Sequence, residues 1–421
     1  MKPDVLDVII VGAGHAGLTM SYFLSKHQLR HLVFEQGNIG DSWMLQRWDS
    51  FRLNSCNQFN SLPGFTFFQD PEAFCSAPEF VFYLQAYASK FKLPVKAYCP
   101  VLKIERDAAS HLFTITTSGQ ATNNVYQSRQ VVIASGGQNK PLIPPFTNKI
   151  DHSIIQLHTS QYRNAALLPP GAVLVVGSAQ SGTQIADDLL QWGKPVFLAT
   201  CKVGRIPRRY RNKDIFEWLF PLGLYDVKHD DISDPQVFRM KPPQVSGVGL
   251  RGCTSSLQSL ARKGAVILGT ATDASADVIF LLPNASEHVQ FADAYSQRIK
   301  TQIEDYIAAN NIAASPQEED SDDLPDEGST CASGITALNL QDNNISAIIW
   351  TTGFTGNFDY IQLPAFNDDG SPKHHNGCAD IEGLYFVGLP WLRRRKSGII
   401  WGTTEDTAFI CEQILNFKKT Q

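Results

Sequence analysis

The 421-residue chain has eight cysteines but no C-x-x-C pair. Cys56, Cys75, Cys99, Cys201, Cys253, Cys331, Cys378 and Cys411 are scattered. That scatter excludes the redox dithiol of a disulfide reductase and the ligand spacing of a zinc site. It predicts reduced thiols in a cytoplasmic protein. No uninterrupted apolar run is long enough to span a bilayer, and Met1-Lys2-Pro3-Asp4 carries no cleavable-signal pattern. Charge of one sign is also missing. Lys and Arg number 36 against 41 Asp and Glu, a formal net charge of -5, so nothing attracts the chain to nucleic acid or an anionic membrane. There is no G-x-S-x-G nucleophile elbow. The adjacent pair His374-His375 has no evident third ligand, which argues against a metal.

The positive signals start with glycine. Gly12-Ala13-Gly14-His15-Ala16-Gly17 follows the apolar run Val8-Ile9-Ile10-Val11, and Gly177-Ser178-Ala179-Gln180-Ser181-Gly182 follows Val173-Leu174-Val175-Val176. A glycine-rich turn between a buried strand and a helix lets backbone approach a pyrophosphate, and the helix N-terminus supplies N–H donors. Two such turns predict one chain holding two dinucleotides, and so a redox enzyme. Glu35 ends the next strand, His31 to Glu35, about 20 residues past the first turn, where a carboxylate binds ribose hydroxyls.

An apolar fraction of 43% and this length predict two or three folded domains with large cores. Gly37 to Phe74 is long and aromatic, with Trp43, Trp48, Phe51, Phe59, Phe65, Phe67, Phe68 and Phe74, and is expected to line or cover a cofactor. Helices are expected over Ala77 to Tyr87, Ala294 to Asn310 and Glu405 to Phe417. A second domain is expected from 166 to 324, inserted into a first made of 1–165 and 325–421. The acidic stretch Ser315 to Thr330, with Glu318, Glu319, Asp320, Asp322, Asp323, Asp326 and Glu327, reads as a solvated connector. After it, Asn344 to Thr351 reads as a strand back in the first domain.

In this order of landmarks the chain resembles the flavin-containing monooxygenases, the NADPH-dependent class that includes Baeyer–Villiger and N-hydroxylating enzymes. The landmarks are the first turn, Glu35, Gly40-x-x-Trp43, Ala134-Ser135-Gly136, the second turn and Thr351-Thr352-Gly353-Phe354. It looks most like bacterial flavoproteins carrying phrases such as RWDSFRL, NSLPG and PRRYR, here starting at Arg47, Asn60 and Pro207. The resemblance implies an α/β fold with two Rossmann-like dinucleotide-binding domains, for FAD and NADPH, the second inserted into the first. Its cofactor-binding candidates are Gly12, Gly14, His15, Ala16, Gly17, Glu35, Gln36, Ser42, Trp43, Asn54, Ala134, Ser135, Gly136, Gly177, Ala179, Gln180, Ser181, Gly182, Thr352, Gly353 and Phe354.

Asn54, nine residues before Pro63, matches the asparagine that the family places beside the reactive flavin carbon, and is the catalytic candidate. The family fingerprint F-x-G-x-x-x-H-[ST]-x-x-[YF] is half kept: His158-Thr159-Ser160-Gln161-Tyr162 is present, but His152 and Ile154 replace phenylalanine and glycine. Ala179 replaces the middle glycine of the second turn, where a methyl is expected to crowd NADPH.

The implied reaction takes hydride from NADPH to FAD, forms a flavin (hydro)peroxide with O2, and passes one oxygen atom to a small or medium amine, sulfide or carbonyl compound. No metal or protein nucleophile is needed. The second-unit strand Val196 to Thr200 ends without an acid, and Lys202 and Arg205 follow as candidates for the 2′-phosphate of NADPH. Arg393-Arg394-Arg395-Lys396 reads equally as a site for FAD phosphate or an anionic substrate and as a solvent-facing run. Cys56, close to Asn54, reads as a packed thiol. Two other functions fit this composition: a flavin oxidase or dehydrogenase without nicotinamide use, motivated by Ala179, and a flavin-bound sensing module.

Overall fold

The computed structural model describes residues 5–66, 70–119, 123–245, 252–325 and 333–420. Met1 to Asp4, Phe67, Phe68, Asp326, Glu327 and Cys331 lie outside the described residues.

Two parallel sheets organise the chain. In the first, Val5–Val11 pairs with His31–Phe34 on one side and Asn124–Ile133 on the other. Val95–Lys96 and Leu384–Phe386 extend it in parallel at the two ends. An antiparallel hairpin, Val101–Arg106 with Phe113–Thr117, branches from Asn124–Ile133. The second sheet is parallel throughout, in the order Val266–Leu268, Val196–Ala199, Ala172–Val176, Ile345–Trp350, Ile155–His158. Parallel strands covered on both faces are apolar along their whole length. Val8 to Val11 and Val173 to Val176 are accordingly all buried.

The strand Ile345–Trp350 corrects the expected organisation. It lies in the second sheet, not the first, and so does Ile155–His158. The second unit therefore starts before residue 166 and extends past 324. A buried apolar strand carries no mark of which sheet it joins. Ile348 and Trp350 belong here because they fill one core with Leu174 and Val176. The two connections between the units run side by side, Lys140–Pro141 antiparallel to Phe354–Thr355.

Two helices are longer than expected, Ala285–Ala309 and Ile400–Thr420. In the first, the buried face begins a full two turns earlier than the expected start, at Ala285, His288 and Val289. Ala77–Lys90 starts at a capping box, in which the Glu79 carboxylate accepts from Ser76 N–H at 2.7 Å.

The aromatic loop is mortar between the units. Trp48, Phe51, Leu53 and Leu62 share one continuous apolar cluster with Val8 and Ile10 of the first sheet and with Val173, Val175 and Ile185 of the second unit. At about 1.5–3 kcal/mol for each fully buried large side chain, this seam holds the two sheets in one relative position. Among the described residues no helix is long and apolar enough to cross a membrane.

Candidate active site

The first turn is built for close approach. Gly12 has φ +102°, and a Cβ there would sit 2.5 Å from the Ala134 carbonyl oxygen. A Cβ on Gly17 would sit 1.9 Å from the Gly12 carbonyl oxygen, so glycine is required for the helix to pack on the strand. Gly14 differs: a Cβ there meets nothing within 4 Å. This open side is where a phosphate can reach the N-terminus of helix His15–Lys26. Glu35 stands at the same turn, accepting from Ala13 N–H at 2.7 Å and Gly37 N–H at 3.2 Å. His15 Nε2 is buried without a partner among the described residues. Desolvation lowers the His15 pKa to about 4, so the ring is neutral at physiological pH.

The second turn repeats this geometry. Gly177 has φ +111°, a Cβ there would sit 2.8 Å from the Thr351 carbonyl oxygen, and Gly182 approaches Gly177 as Gly17 approaches Gly12. Ala179 holds φ −76° and ψ −169°, beside −74° and −175° at Gly14. Such extended backbone is open to any residue, so the methyl causes no distortion of the turn. Gln180, in the place of His15, accepts from Val245 N–H at 2.8 Å. The placement of Ile345–Trp350 puts Thr352, Gly353 and Phe354 at the end of the strand beside this second turn. His158 connects to them, with Nε2 3.0 Å from the Gly353 carbonyl and its ring edge-on to Phe354. At the first turn, Ser135 occupies the matching strand end, bonded to Tyr360 Oη at 2.8 Å. Gln36 and Ser42 are exposed, and Trp43 packs edge-on to Phe80.

Asn54 lies between the units. Its side-chain oxygen accepts from Gln184 Nε2 at 3.2 Å, and its backbone carbonyl accepts from Arg208 at 2.7 Å. Both partners belong to the second unit. Arg208 is 1% exposed. It pairs with Asp214 at 2.5 Å and lies against the rings of Phe74 and Phe216. The same loop is held once more by Asp188, which accepts from Ser50 and Tyr162 hydroxyls, each at 2.6 Å. Sequence reasoning missed Gln184, Asp188 and Arg208. Arg208 lies inside the quoted PRRYR phrase, but its target is a carbonyl 154 positions away, and no local pattern encodes that. Cys56 nearby is inert, since burial pushes its thiol up to about 12.

Arg205 does not fit its expected role. It is 3% exposed and bound to Asp293 at 2.5 Å and to Asp323. Lys300 joins Asp323. Asp323 is thereby a buried structural acid, not part of a solvated connector. Burying a guanidinium demands carboxylate partners, and this cluster supplies them. Lys202 remains exposed at the end of Val196–Ala199, resting on the Phe291 ring. A second cation, Lys241, reaches this place, with Nζ 3.3 Å from Cys201 Sγ. Cys201 N–H in turn bonds Ser178 of the glycine turn at 3.0 Å.

The four-cation run is mostly neutralised. Arg393 faces Asp406 at 3.6 Å, Arg394 faces Asp226 at 3.3 Å, and Lys396 is buried between Asp226 and Glu405. His374–His375 forms a short strand against Cys378–Ala379. Among the described residues no group of three or more His, Cys, Asp and Glu is arranged to hold a metal.

Residues 9–225 match the family model described as pyridine nucleotide-disulphide oxidoreductase. The chain is 30% identical to an uncharacterized CzcO-like oxidoreductase of Geobacillus kaustophilus, over 98% of this chain and 99% of the relative. It is 25% identical to a probable indole-3-pyruvate monooxygenase, YUCCA4, of Arabidopsis thaliana, over 97% and 90%. Its fold matches a flavin-containing monooxygenase from Stenotrophomonas maltophilia with a TM-score of 0.66, at 16% identity, over 99% of both chains.

Proposed function

The chain belongs to the pyridine nucleotide-disulphide oxidoreductase family and is an oxidoreductase of the flavin-dependent monooxygenase type; from that premise we propose that it binds FAD at the Gly12 turn and NADPH at the Gly177 turn, and inserts one oxygen atom from O2 into a small or medium organic substrate. When bound, the flavin supplies the chemistry, taking hydride from NADPH and activating O2. The protein's part is to bind, orient and exclude water.

The residues fit both dinucleotides. The open side of Gly14 and the unpartnered His15 Nε2 suit an incoming FAD phosphate. Glu35 offers its carboxylate to ribose hydroxyls. At the second turn, the undistorted backbone of Ala179 supports nicotinamide use, and Lys202 with Lys241 takes the 2′-phosphate role expected of Lys202 and Arg205. Asn54 is the uncharged donor in the seam. Its carboxamide needs no protonation change to donate, and a donor fixed before reaction is worth most in a dry pocket. Trp48, Phe51 and Phe74, all buried, are the side chains that would exclude water around it.

The observation that carries this reading is the seam itself. One loop, from Ser50 to Asn54, is bonded to the second unit by Asp188, Gln184 and Arg208. That anchoring supports Asn54 as the polar side chain between the two proposed dinucleotide sites. The test is to reduce the FAD-loaded protein with NADPH without oxygen, admit O2 with panels of amines, sulfides and ketones, and weigh the products. A product heavier by one oxygen atom is expected. Flavin that NADPH does not bleach would overturn the reading.

A further inference from the structure

The run Arg393 to Lys396 has one member that differs from the rest. Arg393, Arg394 and Lys396 are spent on Asp406, Asp226 and Glu405. Arg395 turns the other way. Its backbone N–H is fixed to the Val227 carbonyl at 2.9 Å and its guanidinium lies over the Tyr225 ring at 5.6 Å. Among the described residues no carboxylate pairs with it. It lines a half-open pocket of about 270 Å3 together with Ile206, Leu219, Tyr225, Ile299 and the solvent-exposed Gln302 and Arg298. Arg298, on helix Ala285–Ala309, stands over the Tyr295 ring at 4.5 Å and likewise has no carboxylate partner among the described residues.

A half-open pocket whose lining combines aliphatic and aromatic side chains with two guanidinium groups that pair with no carboxylate among the described residues suits one kind of ligand. Its walls favour a hydrocarbon body, and each planar fork can donate two parallel hydrogen bonds to one carboxylate. We infer that this cavity is a binding site for a small apolar carboxylic acid, with Arg395 and Arg298 holding the carboxylate. The site adjoins the aromatic wall of the seam: Tyr225 packs on Phe216 and Phe220, and Phe220 on Phe59 and Trp401. Binding of the acid does not depend on the proposed reaction. Its use as the oxygenated substrate does.

The test is calorimetric titration of the FAD-loaded protein with phenylacetate, 3-phenylpropanoate and octanoate, and with 3-phenylpropanamide as the neutral match. At least one acid should bind saturably, and 3-phenylpropanoate at least about tenfold tighter than its amide. Arg395→Gln and Arg298→Gln should each weaken the acid by about tenfold and leave the amide unchanged. Among the described residues neither arginine holds an ion pair, so melting temperature and FAD content should stay native in both variants. No saturable binding by any of the three acids, equal binding of acid and amide, or native acid binding in the double variant would overturn the site. In the same samples with NADPH and O2, an acid heavier by one oxygen identifies it as substrate. An unchanged acid identifies it as a separately bound ligand. Both results keep the site, while only the first extends the proposed reaction.

Discussion

The two glycine turns use one backbone for two purposes. Gly12 and Gly177 share a positive φ, Gly17 and Gly182 share the same close packing, and Gly14 and Ala179 share the same extended conformation. What differs is the chemistry around them. The first turn has an acid at the end of its second strand and a histidine at the helix start. The second has a glutamine at the helix start and two lysines near the strand end. Geometry makes both turns open to the same kind of ligand, and on the proposed reading the neighbouring side chains set which nucleotide each prefers.

The largest expected effect separates the turns outright. Gly14→Val fills the open side of the first turn and should abolish FAD binding, read as loss of flavin absorbance in the purified protein. Ala179→Val should leave the flavin in place and weaken NADPH. Full FAD occupancy in the Gly14 variant would remove the first site's assignment.

Next in size is the contrast between two cations of the second unit. Arg205→Ala removes the cation shared by Asp293 and Asp323, leaving Asp323 to Lys300 and Asp293 to Gln258, and should cost about 3 kcal/mol of stability, measured by denaturant titration. A native unfolding midpoint would contradict the structural role. Asn54→Ala removes one preorganised donor from the seam. It should slow oxygenation on the order of a hundredfold, with hydride transfer and FAD content intact and hydrogen peroxide replacing product. An unchanged product yield would leave Asn54 as a loop residue only.

Lys202→Ala should barely touch stability, because the side chain is exposed. It should narrow the preference for NADPH over NADH by up to about tenfold, and Lys241→Ala should add to that effect. Equal reduction rates with the two coenzymes in the native protein would dismiss both lysines. The smallest effect concerns the histidine that distinguishes the first turn. The folded pKa of His15 is depressed to about 4 from the ordinary 6.5. The unfolded chain therefore takes up a proton first on acidification, and stability falls as pH drops below about 6.5. The loss should reach about 1 kcal/mol by pH 6. His15→Gln, which copies Gln180, should flatten that slope in pH-dependent melting.

Much of the fold was legible in the chain because the decisive signals are local. A run such as Val8 to Val11 must be buried on both faces, and a glycine-rich turn behind it leaves few conformations open. Glu35 could be assigned to its turn because the intervening helix has a standard length. The site was legible only in part. Asn54 came from resemblance, and its partners Gln184 and Arg208 came from the folded molecule alone. Arg205 misled because a cation after a strand reads the same whether it faces solvent or a buried acid.

Strand, turn and helix order, the lack of a C-x-x-C pair, and the two glycine-rich motifs were determined by the sequence itself, since each depends on residues close together in the chain. Which sheet received Ile345–Trp350, which arginine was buried, and which loop closed the seam were decided by tertiary structure. These outcomes turn on pairings between residues far apart, such as Arg205 with Asp323 and Arg208 with Asn54. A charge or a carbonyl left unpaired inside a core is too costly to persist. The partners are therefore chosen by whichever packing satisfies all of them at once, and that choice exists only in three dimensions.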